Sequence, residues 1–371
     1  MTEETESFPK TVLVLGAGAS DDCNFPLGEK LIDQIIQFNF ANTSMIRRII
    51  FNARRWVIEN NLNDFLPNEI SGNLDESNVG KYWELDDKVF TSWLHDLASF
   101  RSIDEFIYHK KKYSLLAKLS IVLTLSKHED PAFFNAGPQG INRIWYRKLW
   151  DNLKSPTISG LKKNLSNLHI VNFNYDRSLE FYIQKSISSV YDDMLGRLPI
   201  TNVYGSIGSL VQGDQVPTGL YSNPYRPLTL SAPPKESRFR VSGGTIYAFE
   251  SDEWFQFRLF DRHLLELANR IETYASEYNQ EKAEKIQKYV FNAEQVYFFG
   301  FSFLEQNMKI LFGQLQKDER RQRIVDGTFY KIPEQLKSHL VGEFSNRFLY
   351  RPLIKNEKKI DGFFEDYSVR V

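Results

Sequence analysis

The feature that most constrains this chain is a short apolar run that ends in a pair of glycines. Lys10-Thr11-Val12-Leu13-Val14-Leu15 is apolar and β-branched without alternation, the pattern of a strand buried on both faces of a parallel sheet. It runs into Gly16-Ala17-Gly18-Ala19-Ser20, and beyond this turn Leu27, Leu31 and Ile35 recur at helical spacing. Strand, glycine turn and helix in that order open a doubly wound α/β unit. Two glycines permit a tight turn and let backbone N–H groups approach a phosphate. The helix that follows is expected to bring its positive dipole end to the same point. A tight turn without a ligand accounts for the same residues. The third glycine of the usual dinucleotide fingerprint is missing, and the carboxylates of Asp21 and Asp22 follow.

Further along, the pattern predicts a Rossmann-like parallel sheet interrupted by a large, mostly helical insertion. From about residue 44 to 165 strand signals are few, and 103–126 and 141–154 show helical periodicity. Strands return at 168–173 and 199–204, with a helix between them carrying Leu179, Ile183 and Ile187 on one face. Residues 209–250 hold many of the prolines and glycines and predict loops and short β elements. A helical region spans 253–292, followed by a strand at Gln295–Phe299. Leu304, Met308, Leu311, Phe312 and Leu315 then mark an amphipathic helix. Residues 1–44 and 166–331 are therefore expected to form the nucleotide-binding domain, 45–165 the insertion, and 332–371 an appendage with a strand at 347–354.

The formal net charge of -1 gives no global field favouring nucleic acid or an anionic surface. The basic clusters at Arg47, Arg48, Arg54 and Arg55, at Lys110 to Lys112, and at Lys317, Arg320, Arg321 and Arg323 read as solvated helix faces. The single cysteine, Cys23, excludes an intrachain disulfide and a four-cysteine zinc site, and no metal is expected. The acidic start lacks the segments of a signal peptide, and no apolar run reaches membrane-spanning length. A cytoplasmic location is expected.

Chemistry is expected at four turns, each closing an apolar strand. The first is Gly16–Ser20. The second is Asn172-Phe173-Asn174-Tyr175-Asp176, where the Asn174 amide is suited to hold a ribose hydroxyl or a water. A turn residue at 174 and a helix cap at Asp176 explain the same sequence. The third and fourth are Tyr204-Gly205-Ser206-Ile207-Gly208 and Gly300-Phe301-Ser302-Phe303. Four such turns fit a nucleotide lying along the carboxyl edge of one sheet.

The order of these motifs resembles the sirtuin-like domain family of bacterial anti-phage defence proteins. The resemblance rests on Gly16–Ser20 with Phe25-Pro26-Leu27-Gly28, on Ser102-Ile103-Asp104-Glu105-Phe106, and on Asn174-Tyr175-Asp176. It continues through Tyr204-Gly205-Ser206 and Gly300-Phe301-Ser302-Phe303, bracketing residues 10 to 315. It implies an NAD site with a helical inserted module, in which an asparagine and a histidine cleave the nicotinamide–ribose bond. Asn174 matches the asparagine; Tyr204 stands at the histidine position, a departure from the family pattern.

Cleavage releases nicotinamide as a neutral molecule, so the leaving group needs no proton. By analogy with glycoside hydrolysis, the site must orient the ribose, stabilise an oxocarbenium-like state and admit one water. Tyrosine, with a reference pKa of about 10, is a poor base at neutral pH but a good hydrogen-bond partner. Asn174, Asp176 and Tyr204 are the candidate catalytic residues. Gly16, Ala17, Gly18, Ser20, Phe25, Pro26, Gly205, Ser206, Gly300, Ser302 and Asn307 are the candidate nucleotide contacts. Asp176 or Glu305 would stabilise positive charge on the sugar, and a side chain at Gly18 would fill the space of a phosphate. All six histidines lie outside the turns, with His95 in the insertion the one that a folded-over insertion would bring near.

NAD is then the substrate, and no further cofactor is required. The alternative is a catalytically silent subunit that binds NAD or ADP-ribose. A protein deacylase fits poorly without a zinc module and a histidine, and nothing resembles the catalytic half of a dehydrogenase. The chain shows no sensor domain, so a trigger is expected from self-assembly into a homo-oligomer or from a separate defence protein. The resemblance suggests an ATPase or a nucleotide-sensing subunit.

Overall fold

The computed structural model describes residues 8–66, 87–129, 144–191, 197–208, 240–242, 245–247, 252–273, 280–313, 324–329, 332–347, 359–366 and 369. Its strands are β1 (Thr11–Leu15), β2 (Leu168–Asn172), β3 (Ile200–Asn202), β4 (Arg240–Ser242), β5 (Thr245–Tyr247), β6 (Gln295–Phe299) and β7 (Ile324–Gly327). Five form one sheet in the order β3-β2-β1-β6-β7, and every pairing in it is parallel. The chain steps outward from β1 to β2 and β3, then returns to place β6 on the other side of β1. That reversal between β1 and β6 is the switch point at which doubly wound sheets open a crevice at their carboxyl edge. The fold is α/β and Rossmann-like.

β1 is buried along its whole length, as its unbroken apolar run requires. Alternation along β6 shows that the sheet is covered on both faces. Phe299 and Tyr297 turn one way, where Phe299 meets Trp145 and both meet Phe363. Phe298 turns the other way and meets Phe312 and Phe344. Phe344 and Phe363 belong to the helices Glu334–Arg347 and Ile360–Asp366, within the segment expected to be an appendage. Both rings are fully buried, so this segment is part of the sheet's core.

The chain divides into two compact units. One holds the sheet and comprises 1–27, 131–206 and 277–371; the other comprises 28–130 and 207–276. The second is built mainly of helices, with the β4–β5 ladder among its described residues. Its helix Ser114–Ser126 is buried on nearly every side, as befits a helix apolar all round. The divisions fall at different places from those expected at 44, 165 and 331. The helix Gly28–Ala41 groups with the helical unit, while Trp145–Leu153 and Ile158–Ser166 group with the sheet.

β7 was not foreseen, because Ile324-Val325-Asp326-Gly327 has only two apolar residues. Pairing with β6 makes it a strand. The expected helical region 253–292 is two helices, Asp252–Arg270 and Gln280–Asn292. The expected strand at 347–354 lies outside the described residues except Arg347, which ends a helix. No helix among the described residues is long and apolar enough to cross a membrane.

Candidate functional site

Register brings the four turns to one level. Leu15 pairs with Asn172 on one side and with Phe299 on the other, and Asn172 pairs with Asn202. Gly16, Phe173, Val203 and Gly300 therefore leave the sheet together at its carboxyl edge.

The first and fourth turns interlock through their backbones. Gly16 N–H donates to Phe299 O and Gly18 N–H to Gly300 O, both at 3.0 Å. A Cβ on Gly16 would lie 2.6 Å from Gly300 O, and one on Gly18 would lie 2.9 Å from Gly300 Cα. Gly300 itself has φ +59, and its Cβ would lie 2.1 Å from Ala19 N. The glycines thus answer first to each other. The space beside Gly18 that was expected to take a phosphate is occupied by the Gly300 backbone.

A second expectation for this turn is corrected as well. No α-helix starts directly after it. Single-turn helices at Ala17–Ala19 and Asp21–Cys23 follow, and the first α-helix begins at Gly28. The chain curls back on Ser20, whose carbonyl accepts from Cys23 N and Phe25 N, with Asn24 left-handed at φ 64. The helix Gly28–Ala41 therefore does not bring its dipole end directly onto the first turn. Asp21 reaches toward Lys359, 3.8 Å away. Burial raises the pKa of Asp22 above the ordinary carboxylate range, against the lowering pull of Lys359.

The second turn is bound to the first by a chain of buried polar groups. Asn174 Nδ2 donates to Gly16 O at 3.0 Å and to Ser20 Oγ at 3.1 Å. Ser20 Oγ donates to Asp176 Oδ2 at 2.7 Å. Asp176 Oδ1 accepts from Ser178 N at 3.0 Å and from the Ser178 hydroxyl. With the Ser178 proton so used, Tyr146 OH donates to Ser178 Oγ at 2.7 Å. Burial raises the pKa of Asp176, while the Ser178 and Ser20 donors oppose the rise. Both oxygens of Asp176 are engaged in joining the turns and in capping the start of the helix Ser178–Tyr191. Its position suits a lock better than a stabiliser of charge on a sugar.

Gly16 O can only accept, so it fixes which end of the Asn174 amide faces it. The other end, Oδ1, has no hydrogen-bond partner among the described residues. Asn172 braces the turn from below: its Oδ1 accepts from Asn174 N, and its Nδ2 donates to Asn202 Oδ1. Ser20, Tyr146, Asn172, Asn174, Asp176 and Asn202 help to line a cavity of about 10 Å³. That is room for a single water, whereas small-molecule pockets run to several hundred Å³.

The third and fourth turns meet through Tyr204. Its hydroxyl donates to Asn307 Oδ1 at 2.5 Å, and its ring packs on Phe173 and Tyr175. Phe173 also touches Phe301, so the aromatic stack runs from the second turn to the fourth. Phe303 adopts φ 56, a left-handed conformation that costs a bulky residue about 1–3 kcal/mol. It is held by Phe298 and by a stacked Phe329, and it turns the chain into the helix Glu305–Phe312.

Among the other expected contacts, Phe25 is buried beside the first turn, Pro26 is half-buried and Ser302 is exposed. Gly205 and Ser206 follow Tyr204, with Gly205 at φ 70. Glu305 is exposed and paired with Lys309 at 2.9 Å, which holds its carboxyl below the usual range. His95 packs on Phe40 within the helical unit. Among the described residues no cluster of side chains is suited to a metal ion.

Three participants escaped sequence reasoning. Trp145 Nε1 donates to Ala19 O at 2.8 Å and so ties down the first turn; Tyr146 and Ser178 complete the polar chain. Only the paired aromatics at 145 and 146, opening an amphipathic helix, hinted at them. Compared with models of known protein families, with curated proteins and with solved structures, the chain matches none.

Proposed function

We infer that the chain is an NAD glycohydrolase, yielding nicotinamide and ADP-ribose. The observation that carries this reading is the fixed amide of Asn174. At the carboxyl edge beside the switch point, Gly16 O and Ser20 Oγ take its two protons and leave Oδ1 as an acceptor. An acceptor there suits a water or a ribose hydroxyl. In the reaction, water oxygen bonds to the anomeric carbon, and the bond to the pyridinium nitrogen breaks with its electron pair passing to nicotinamide. One water proton is released to solvent. Orientation of the water by Asn174 Oδ1 and of the ribose by the surrounding turns supplies the chemistry. Asp176 acts by positioning Ser20, and through it Asn174.

By the resemblance, the reaction depletes cellular NAD during phage infection, in the cytoplasm, and is held off until assembly or a separate defence protein triggers it. The experiment is chromatographic analysis of NAD incubated with the purified chain, alone and with candidate partners. Nicotinamide and ADP-ribose in equal amounts, both lost in Asn174→Ala, are expected. An undiminished rate in Asn174→Ala removes this residue from the mechanism.

A second reading, a silent subunit that binds NAD or ADP-ribose, is favoured by one observation. The Tyr204 hydroxyl is committed to Asn307. Binding of NAD with no nicotinamide released under any condition would select it.

A further inference from the structure

Tyr204 and Asn307 form a closed donor–acceptor pair on one side only. Tyr204 OH donates to Asn307 Oδ1, which fixes the amide and leaves both protons of Nδ2 without a partner among the described residues. Asn307 is only 7% exposed, yet these protons are not sealed off from the surface. An amide this buried with two unspent donors invites an acceptor from outside the chain.

Its place in the fold says which kind. Asn307 lies in the first turn of the helix Glu305–Phe312, and helical side chains lean toward the N-terminus. That terminus has no side-chain cap, and the N–H groups of Glu305, Gln306 and Asn307 have no partners among the described residues. The Glu305 carboxylate at this terminus is paired along the helix with Lys309, 2.9 Å away. These N–H groups and the Asn307 amide are donors, and a helix start of this kind favours an anionic oxygen.

We propose that the N-terminus of Glu305–Phe312, with the Nδ2 protons that the Tyr204 bond leaves over on Asn307, binds a phosphate oxygen of the nucleotide. This rests on the reading of the sheet edge as a nucleotide site. It moves the phosphate from the glycine turn, where the Gly300 backbone fills the space, to the turn after β6. Tyr204 is then a positioning residue acting through Asn307, in place of a base.

The test is calorimetric titration of the full chain with ADP-ribose, and with adenosine as a ligand lacking phosphate. Asn307→Asp keeps the acceptor for Tyr204 and so preserves the pair, but replaces two donors with a negative charge. It should weaken ADP-ribose binding by about 100-fold, and Asn307→Ala by about tenfold. Tyr204→Phe should weaken it several-fold, and adding Tyr204→Phe to Asn307→Ala should bring no further loss. Behaviour toward adenosine should be unchanged in every variant. ADP-ribose affinities equal to wild type, equal losses with adenosine, additive losses in the double variant, or no binding by the wild type would each overturn the proposal. Absent nicotinamide release together with the expected affinities would remove the hydrolase and leave this site. Release with unchanged affinities would do the reverse.

Discussion

The two polar assemblies at the carboxyl edge are built on opposite plans. Around Asp176 the groups face one another: Tyr146, Ser178, Ser20, Asn174 and Gly16 pass hydrogen bonds along a buried chain that ends on a carboxylate. At Asn307 the amide oxygen accepts from Tyr204 OH, and the two Nδ2 protons are left over among the described residues. The first assembly leaves one acceptor over, Asn174 Oδ1, and the second leaves two donors, the Nδ2 protons of Asn307. They touch through Phe173, whose ring packs on Tyr204 while its neighbour Asn174 belongs to the lock. They are told apart by what is left unspent.

The largest test of this division is Gly300→Ala. Its Cβ would collide with the backbone at Gly18 and Ala19 in a left-handed conformation, parting the fourth turn from the first, which carries one side of the lock. A loss of more than about 4 kcal/mol of stability, or failure to fold, is expected from denaturant unfolding. A variant melting within a few degrees of wild type would break the interlock account. Next comes Asp176→Ala, which strands the donors of Ser20 and Ser178 in the interior. A cost of about 3 kcal/mol is expected in the same assay.

A second buried carboxylate sharpens the contrast. Asp326 accepts one hydrogen bond, from Gly327 N, and burial pushes its pKa up to about 6 despite that donor. Asp176 is matched by donors and Asp326 is not, so Asp326→Asn should stabilise the protein at pH 7.5 by about 2 kcal/mol. The sign with pH follows. Between about pH 6 and the ordinary carboxylate value of 3.8, the folded state holds a proton that the unfolded chain has lost. Asp326 therefore makes the protein more stable as pH falls through that window.

His169 acts the other way in nearly the same window. Burial, with Lys285 nearby, lowers its pKa to about 4 from 6.5, so the unfolded chain takes the proton first and stability falls with pH. The two slopes oppose each other. Asp326→Asn should leave the His169 slope exposed, seen as a steeper loss of melting temperature from pH 6.5 to 4. An unchanged profile would refute the pairing. The smallest effect expected is that of Tyr204→Phe on stability, within about 1 kcal/mol. A larger loss would make the open pair part of the structural lock.

Much of this edge was legible in the residues. β1, β2 and β6 announce themselves as apolar runs, and each ends where the run meets Gly16, Asn172 or Gly300. Asn174 and Tyr204 follow from their places after such strands. What was not legible depends on partners far along the chain. The need for glycine at 16 and 18 comes from Gly300, and a collision between turns leaves no local signal beyond the glycines themselves. Trp145 reaches Ala19 across 126 positions, so its amphipathic helix could be foreseen but its hydrogen bond could not. Phe344 and Phe363 lie in helices whose burial is decided by the alternation of β6, which is why their segment read as an appendage.

The central claim is that Asn174 serves the chemistry and Tyr204 the binding of one nucleotide. Steady-state kinetics of nicotinamide release from NAD tests it most directly, with Asn174→Ala and Tyr204→Phe compared against wild type. The account predicts that Asn174→Ala lowers kcat by at least about 100-fold with little change in KM. Tyr204→Phe should raise KM several-fold while keeping kcat within about threefold. A kcat collapse in Tyr204→Phe, or full turnover in Asn174→Ala, would contradict it.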